Sequence, residues 1–184
     1  NKPPQFKIGT QGIPFPGVEV KFSEADEILV KVPCNMVGYY KEPEMTADTL
    51  RGGWLHTGDR GKEDNDGFLK ITGRVKEIFK TDKGKYVAPA PIEMKLSKNQ
   101  HIEQICVVGA ALPQPIALIV LSADAKAKDW DLLHESLSVT LNDTNAELEK
   151  HERLQKLVVV KDDWTIENGL LTPTLKIKRG PIED

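Results

Sequence analysis

GRVKEIFKTDKGKYVAPAPIE, residues 73–93, separates two kinds of sequence in this 184-residue chain. Gly73 permits a tight backbone turn, Arg74 offers a rigid fork of donors suited to an anion or the edge of a diol, and Lys76 adds a second positive charge. Val75, Ile78 and Phe79 predict a strand. Asp82-Lys83-Gly84 reads as a hairpin turn, and Tyr86-Val87 starts the return strand. Taken alone, a basic surface hairpin is the commoner meaning of such a stretch.

Before it, from Phe6 to Thr72, short alternating runs are separated by Gly, Pro and acidic turns, the pattern of antiparallel β-structure. Val18, Val20 and Phe22 alternate with Glu19 and Lys21, Ser23 to Glu27 makes a polar turn, and Ile28, Val30 and Val32 alternate again. That predicts a hairpin with one buried face. Pro43 to Leu50 suits a short helix with Pro43 in its first turn. Trp54-Leu55-His56 and Phe68 to Ile71 predict a further strand pair around Asn65-Asp66-Gly67, giving a small, incomplete barrel or sandwich of hairpins.

After Gly84 helical and strand periods alternate, as in an α+β domain. Pro91 to Ser97 predicts a helix started by Pro91, and Ile105–Val108 and Ile116–Leu121 predict neighbouring strands. Leu133, Leu137, Leu141 and Leu148 recur at helical spacing, with Asn142 to Asn145 as a point where the helix divides in two. Leu157 to Val160 predicts another strand. The final GLLTPTLKIKRGPIED reads as a basic loop ending in a turn.

The bulk numbers narrow the function. A formal net charge of -3 with 29% charged residues supplies no basic field for nucleic acid. Cys34 and Cys106 form no CxxC pair and suit two reduced, buried thiols better than a disulfide framework, although one bridge stays open. Ile116–Leu121, the longest apolar run, is far too short to span a bilayer. The N-terminal NKPPQFKIGTQG lacks the apolar core of a signal peptide, and it starts without Met, which leaves room for an excised piece of a longer protein.

Several chemical signals fail on spacing. In Asp64-Asn65-Asp66-Gly67 a calcium loop would need Lys62 as its first ligand and Gly73 as its bidentate glutamate. His56, His101, His134 and His151 show no metal-ligand spacing, and neither a nucleophile elbow nor a glycine-rich phosphate loop is present. Three features survive. Thr57-Gly58-Asp59 ends a predicted strand, with a carboxylate able to accept from a vicinal diol such as ribose; a plain strand-end aspartate is commoner. Arg74 lies just beyond the next strand, where pairing brings it near Asp59 as a ligand contact or a structural ion pair. Lys176 sits in an extended loop stiffened by Pro173, within reach of an anion or simply solvated.

In order and spacing these features resemble the C-terminal part of the adenylate-forming acyl-CoA synthetases, most closely the long-chain fatty acid–CoA ligases. GWLHTGDRGKEDNDGFLKITGR resembles the segment that carries the family's nucleotide-ribose aspartate, which implies that role for Asp59. Residues 73–93 are similar to the hinge segment, implying a second ribose contact at Arg74, the hinge at Lys76, and a hairpin beside the coenzyme A channel at Lys83, Gly84 and Lys85. LLTPTLKIKR resembles the closing loop, with Lys176 in the place of the catalytic lysine; the superfamily's usual glycine before it is Leu175 here, as in the long-chain subgroup. GVEVKFSEADEILVKVPCNMVGYYKEPEMT resembles the small barrel that precedes them.

The resemblance implies an α+β fold: a small antiparallel β-barrel-like subdomain over residues 1–75, the last part of a large N-terminal domain, then a mobile lid domain over residues 76–184 with a three-stranded sheet and flanking helices. It implies a fragment, inactive alone, of an enzyme that joins a fatty acid to coenzyme A through an acyl-adenylate. ATP/AMP and coenzyme A would be its substrates, with Mg2+ held outside this chain, and the missing N-terminal domain its partner. A cytoplasmic location is implied, with peripheral contact at the inner face of a membrane left open. The alternatives are a non-catalytic nucleotide-binding or interaction module of the same fold, or a relative that activates another carboxylate or loads an acyl carrier protein.

Overall fold

A computed structural model describes residues 6–183; residues 1–5 and 184, the outer ends of the two expected domains, lie outside it. The chain divides into two compact units, one up to Lys76 and one from Glu77 onward.

The first unit is an open antiparallel sheet. Its elements are β1 (Glu19–Phe22), β2 (Glu27–Lys31), α1 (Pro43–Thr49), β3 (Leu50–Arg51), β4 (Trp54–Glu63) and β5 (Leu69–Arg74). The strands run β1-β2-β4-β3, with β5 also paired to β4, so the barrel-like subdomain is not closed. Turn chemistry sets both hairpins. The Ser23 hydroxyl accepts from the Ala25 and Glu27 amides between β1 and β2, and the Asp64 carboxylate accepts from Asp66 and Phe68 before Gly67 takes φ 82° between β4 and β5.

Two expectations change here. Trp54 to His56 pair with β2 and β3, while residues 59–63 make the ladder with β5. In β2 the adjacent Ile28 and Leu29 are both buried, instead of the alternating Ile28, Val30 and Val32. The reason is positional: β2 is an inner strand between β1 and β4, and its register with β4 slips between Glu27 and Leu29.

The second unit contains β6 (Phe79–Lys80), β7 (Tyr86–Val87), α2 (Pro89–Leu96), β8 (Ile102–Val108), β9 (Ile116–Leu121), α3 (Ala123–Lys126), α4 (Trp130–Ala146), β10 (Leu157–Val159) and α5 (Arg179–Glu183). β8 is antiparallel to β9, and β10 lies parallel on its other side, giving the expected three-stranded sheet. Alternation along β8 serves two cores. Ile105 and Val107 pack with Val87, Ile92, Leu96, Leu133 and Leu137, whereas Cys106 and Val108 pack with Trp164 and Leu171.

Several boundaries move. α2 begins at Pro89, two residues before Pro91, because Ala88 is still extended and Pro89 fits the first helical turn. α4 runs unbroken through Asn142 to Asn145. There Thr144 is buried, and the Asn145 side chain accepts from the Leu154 amide at 2.8 Å and donates to its carbonyl at 2.9 Å, so the polar cluster pins the following loop. Residues 179–183, expected to lie in a loop ending in a turn, form the short helix α5. Both cysteines are free, but Cys34 is exposed and only Cys106 is buried. Among the described residues no helix is long and apolar enough to cross a membrane.

Candidate functional site

β4 does not stop at Gly58. It bulges there. Glu27 of β2 faces Arg60 and Leu29 faces His56, so only Ile28 stands opposite Thr57, Gly58 and Asp59. Gly58 absorbs the kink at φ 73°, a left-handed conformation that favours glycine. A bulge re-aims the side chains that follow it, and Asp59 emerges directly opposite Arg74, with Nε 3.1 Å from Oδ1. Asp59 is a strand residue, and Arg74 is the last residue of β5 rather than just beyond it. Their side chains are 29% and 59% exposed, which leaves the pair open to a ligand.

Behind the bulge lies a polar support that the sequence did not single out. Glu27 accepts from the Gly58 amide at 2.9 Å and contacts His56 Nδ1 at 3.0 Å. Thr57 donates its hydroxyl to the Ile28 carbonyl at 2.7 Å and accepts from the Asp59 amide at 3.1 Å. Burial pushes the Glu27 carboxyl up, but His56 and the Gly58 amide outweigh it and hold the group below its ordinary value of 4.5. The only signal in the sequence was an acidic residue at a strand start, Glu27, indistinguishable from a turn residue.

Beyond Arg74 the expected strand does not continue. Its partner has kinked away at Gly58, and Val75, Lys76 and Glu77 form a single 3-10 turn, with the strand resuming only at Phe79. Lys76 is exposed and is the last residue of the first unit. The following hairpin is as read. Gly84, at φ 74°, donates its amide to the Thr81 carbonyl, and the Thr81 amide donates to the Lys85 carbonyl, both at 2.9 Å. Lys83, Gly84 and Lys85 are exposed at its tip, while Thr81 is buried and Asp82 is tied to the Leu112 carbonyl at 3.1 Å.

Lys176 stands on a second hairpin, not an extended loop. Leu171 and Ile177 form a bridge, the Leu175 amide donates to the Thr172 carbonyl at 2.9 Å, and the Thr172 amide donates to the Lys176 carbonyl at 2.8 Å. The Lys176 amide in turn donates to the Thr172 hydroxyl at 3.0 Å. Such a turn needs a left-handed residue before the second strand, and Leu175 takes it at φ 60° while remaining 70% exposed. Lys176 is exposed.

Residues 77–180 match the AMP-binding enzyme C-terminal domain. Long-chain-fatty-acid–CoA ligase FadD15 of Mycobacterium tuberculosis is 37% identical over 95% of this chain and 32% of its own length. Human long-chain-fatty-acid–CoA ligase 6 is 32% identical over 99% of this chain and 30% of its own. The chain therefore spans about a third of the length of these relatives. The adenylation domain of a Mycobacterium chelonae carboxylate reductase superposes with a TM-score of 0.76 at 25% identity, over 97% of this chain and 32% of that one. The Bacillus subtilis o-succinylbenzoate coenzyme A synthetase in complex with AMP does so at 0.72 and 25%, over 97% and 36%. With more than half its length matched by that domain, this chain belongs to the AMP-binding enzyme family.

Proposed function

We propose that this chain is the C-terminal part of an ATP-dependent long-chain fatty acid–CoA ligase. The observation that carries the reading is the Asp59–Arg74 pair: an accessible carboxylate and a guanidinium 3.1 Å apart, presented by a glycine bulge. Such a pair suits a ribose, the carboxylate accepting from both hydroxyls and the guanidinium donating to the sugar's edge. Relatives that act on long-chain fatty acids are 37% and 32% identical, against 25% for solved enzymes of other carboxylates, which favours the long-chain substrate.

In the first step a carboxylate oxygen of the fatty acid attacks the α-phosphorus of ATP, and pyrophosphate leaves. Two anions must approach, and the Lys176 ammonium, held where charge develops, offsets their repulsion in a site shielded from water. Asp59 and Arg74 fix the ribose and hence the α-phosphate, which is positioning. Magnesium accompanies the nucleotide phosphates; among the described residues no cluster of His, Cys, Asp or Glu is suited to hold it. In the second step the sulfur of coenzyme A attacks the acyl carbon, AMP departs with the oxygen, and the thiol proton passes to solvent.

Residues 1–75 then close a large N-terminal domain and residues 76–184 act as its lid, with Lys76 as the pivot. Rotation withdraws Lys176 and turns the Lys83-Gly84-Lys85 hairpin towards the thiol. The chain is inactive without its N-terminal partner, which supplies the rest of the nucleotide site and the acyl pocket. The test is to supply the full-length protein with a long-chain fatty acid, ATP and coenzyme A. Release of pyrophosphate that depends on fatty acid and ATP, with AMP and thioester appearing only when coenzyme A is also present, supports the reading, and no release on any long-chain fatty acid overturns it.

A further inference from the structure

Arg179 lies three residues beyond Lys176, at the start of α5, and its guanidinium is turned inward. Its side chain is 17% exposed, and it forms a two-pronged pair with Glu93 of α2, at 2.9 Å from one terminal nitrogen and 3.2 Å from the other. The first of these nitrogens also donates to the Val107 carbonyl at 2.8 Å and to the Cys106 sulfur at 3.2 Å. Glu93 accepts in addition from the Val107 amide at 2.7 Å. The other terminal nitrogen lies 3.8 Å from the carboxylate of Glu77. One guanidinium therefore gathers α2, β8, the start of the second unit and the segment that carries Lys176.

Stability alone is a poor account of this arrangement. A buried ion pair is often no more stabilising than apolar side chains of the same volume, and the Arg179 Nε is buried with no hydrogen-bond partner among the described residues, which is itself unfavourable. The fork does supply direction, since a planar guanidinium bound at both terminal nitrogens has one orientation. Cys106 completes the seat as a neutral acceptor: burial pushes its thiol up to about 12, and the neighbouring guanidinium only partly opposes this.

We propose that Arg179 is a positioning residue for Lys176, the Arg179–Glu93 pair fixing the base of the lysine hairpin against α2 and β8 and, through Glu77, tying it to the first residue after the Lys76 pivot. Rotation at the pivot is thereby passed to Lys176 without slack. The inference rests on the catalytic reading of Lys176. A lysine hairpin that has lost this seat still binds nucleotide but meets the developing charge out of place, so the loss falls on the rate of the first step and spares the second, from which Lys176 is withdrawn.

The test uses the full-length protein, with the two half-reactions measured separately. Arg179→Met and Arg179→Lys should lower kcat for adenylate formation by about 10- to 100-fold, the scale of a misplacement near 1 Å. The KM for ATP and the rate of thioester formation from supplied acyl-adenylate should stay within about twofold. Glu93→Gln keeps the volume and breaks the fork; it should shift the same ratio in the same direction, and it serves if the arginine variants do not fold. A parallel fall in both half-reactions, or no fall in either, overturns the proposal. Lys176→Ala separates the two ideas. Intact adenylate formation in that variant removes the catalytic reading itself, whereas its loss there with normal rates in Arg179→Met removes only the role of Arg179.

Discussion

Asp59 and Arg74 are direct cross-strand neighbours joined at 3.1 Å, yet they meet only because β4 carries three residues where β2 carries one. Both side chains are partly exposed, so the pair contributes less than about 1 kcal/mol to folding. A charged hydrogen-bond acceptor for a ligand is worth about 1.5–3 kcal/mol. Asp59→Ala should therefore weaken AMP binding to the full-length protein by roughly 10- to 100-fold while moving the unfolding free energy by less than about 1 kcal/mol. Calorimetry and urea unfolding check the two halves, and a large stability loss with unchanged affinity would return the pair to a structural role.

The support behind the bulge is sensitive to acid. Glu27 is held below its ordinary value of 4.5, so its contribution is complete above that pH and is lost as pH falls through the lower folded value. Glu27→Gln removes that contribution. Stability of the chain should accordingly depend less steeply on pH below about 4.5 in Glu27→Gln than in the parent, as followed by urea midpoints across pH 3 to 6. Identical profiles would contradict the role given to Glu27.

Much of this was legible in the sequence where local chemistry decides the structure. Asp64 and Gly67 announce their turn, and a hairpin through them must bring Arg74 back towards Asp59. Gly84 does the same for the hairpin at Lys83 and Lys85. What escaped depends on distant partners. Gly58 looks like the end of a strand unless one knows that β2 resumes pairing at Arg60, and Asn145 looks like a helix breaker unless Leu154 is in view. Arg179 in a basic tail gives no sign that Glu93, 86 positions earlier, awaits it. The Lys176 hairpin was hidden for another reason: its left-handed position holds Leu175, not the glycine that marks such turns.

Leu175 makes that position a source of strain. A left-handed leucine costs about 1–2 kcal/mol, of which a glycine would return part to the flexibility of the unfolded chain. Leu175→Gly should raise the unfolding free energy by about 0.5–1 kcal/mol in urea titration, since the residue is largely exposed and little burial is lost with its side chain. Destabilisation beyond about 1 kcal/mol would mean that the leucine is held by contacts stronger than its strain.

Gly61 tests the packing of the bulged strand. A Cβ there would lie 2.6 Å from Ile28 Cδ1 and 2.8 Å from the Lys70 carbonyl oxygen, and the backbone atom has no room to yield. Gly61→Ala should destabilise by about 1–3 kcal/mol, visible as a lowered urea midpoint. A neutral result would show that β4 and β5 are free to part at this point.

Lys76 offers a separate test of the pivot, because proline fixes φ near -65°. In the full-length protein Lys76→Pro should leave adenylate formation intact and abolish thioester formation. Equal loss of both would contradict the pivot.

Lys176 is exposed on a hairpin whose turn is closed by Thr172, and the proposed first step depends on its charge. The most direct measurement is single-turnover adenylate formation by the full-length Lys176→Ala variant, beside thioester formation from supplied acyl-adenylate. The predicted result is a fall of at least about 100-fold in the first, in line with the loss of one preorganised charge-stabilising group, with the second close to the parent rate. Adenylate formation at the parent rate would contradict a catalytic role for Lys176.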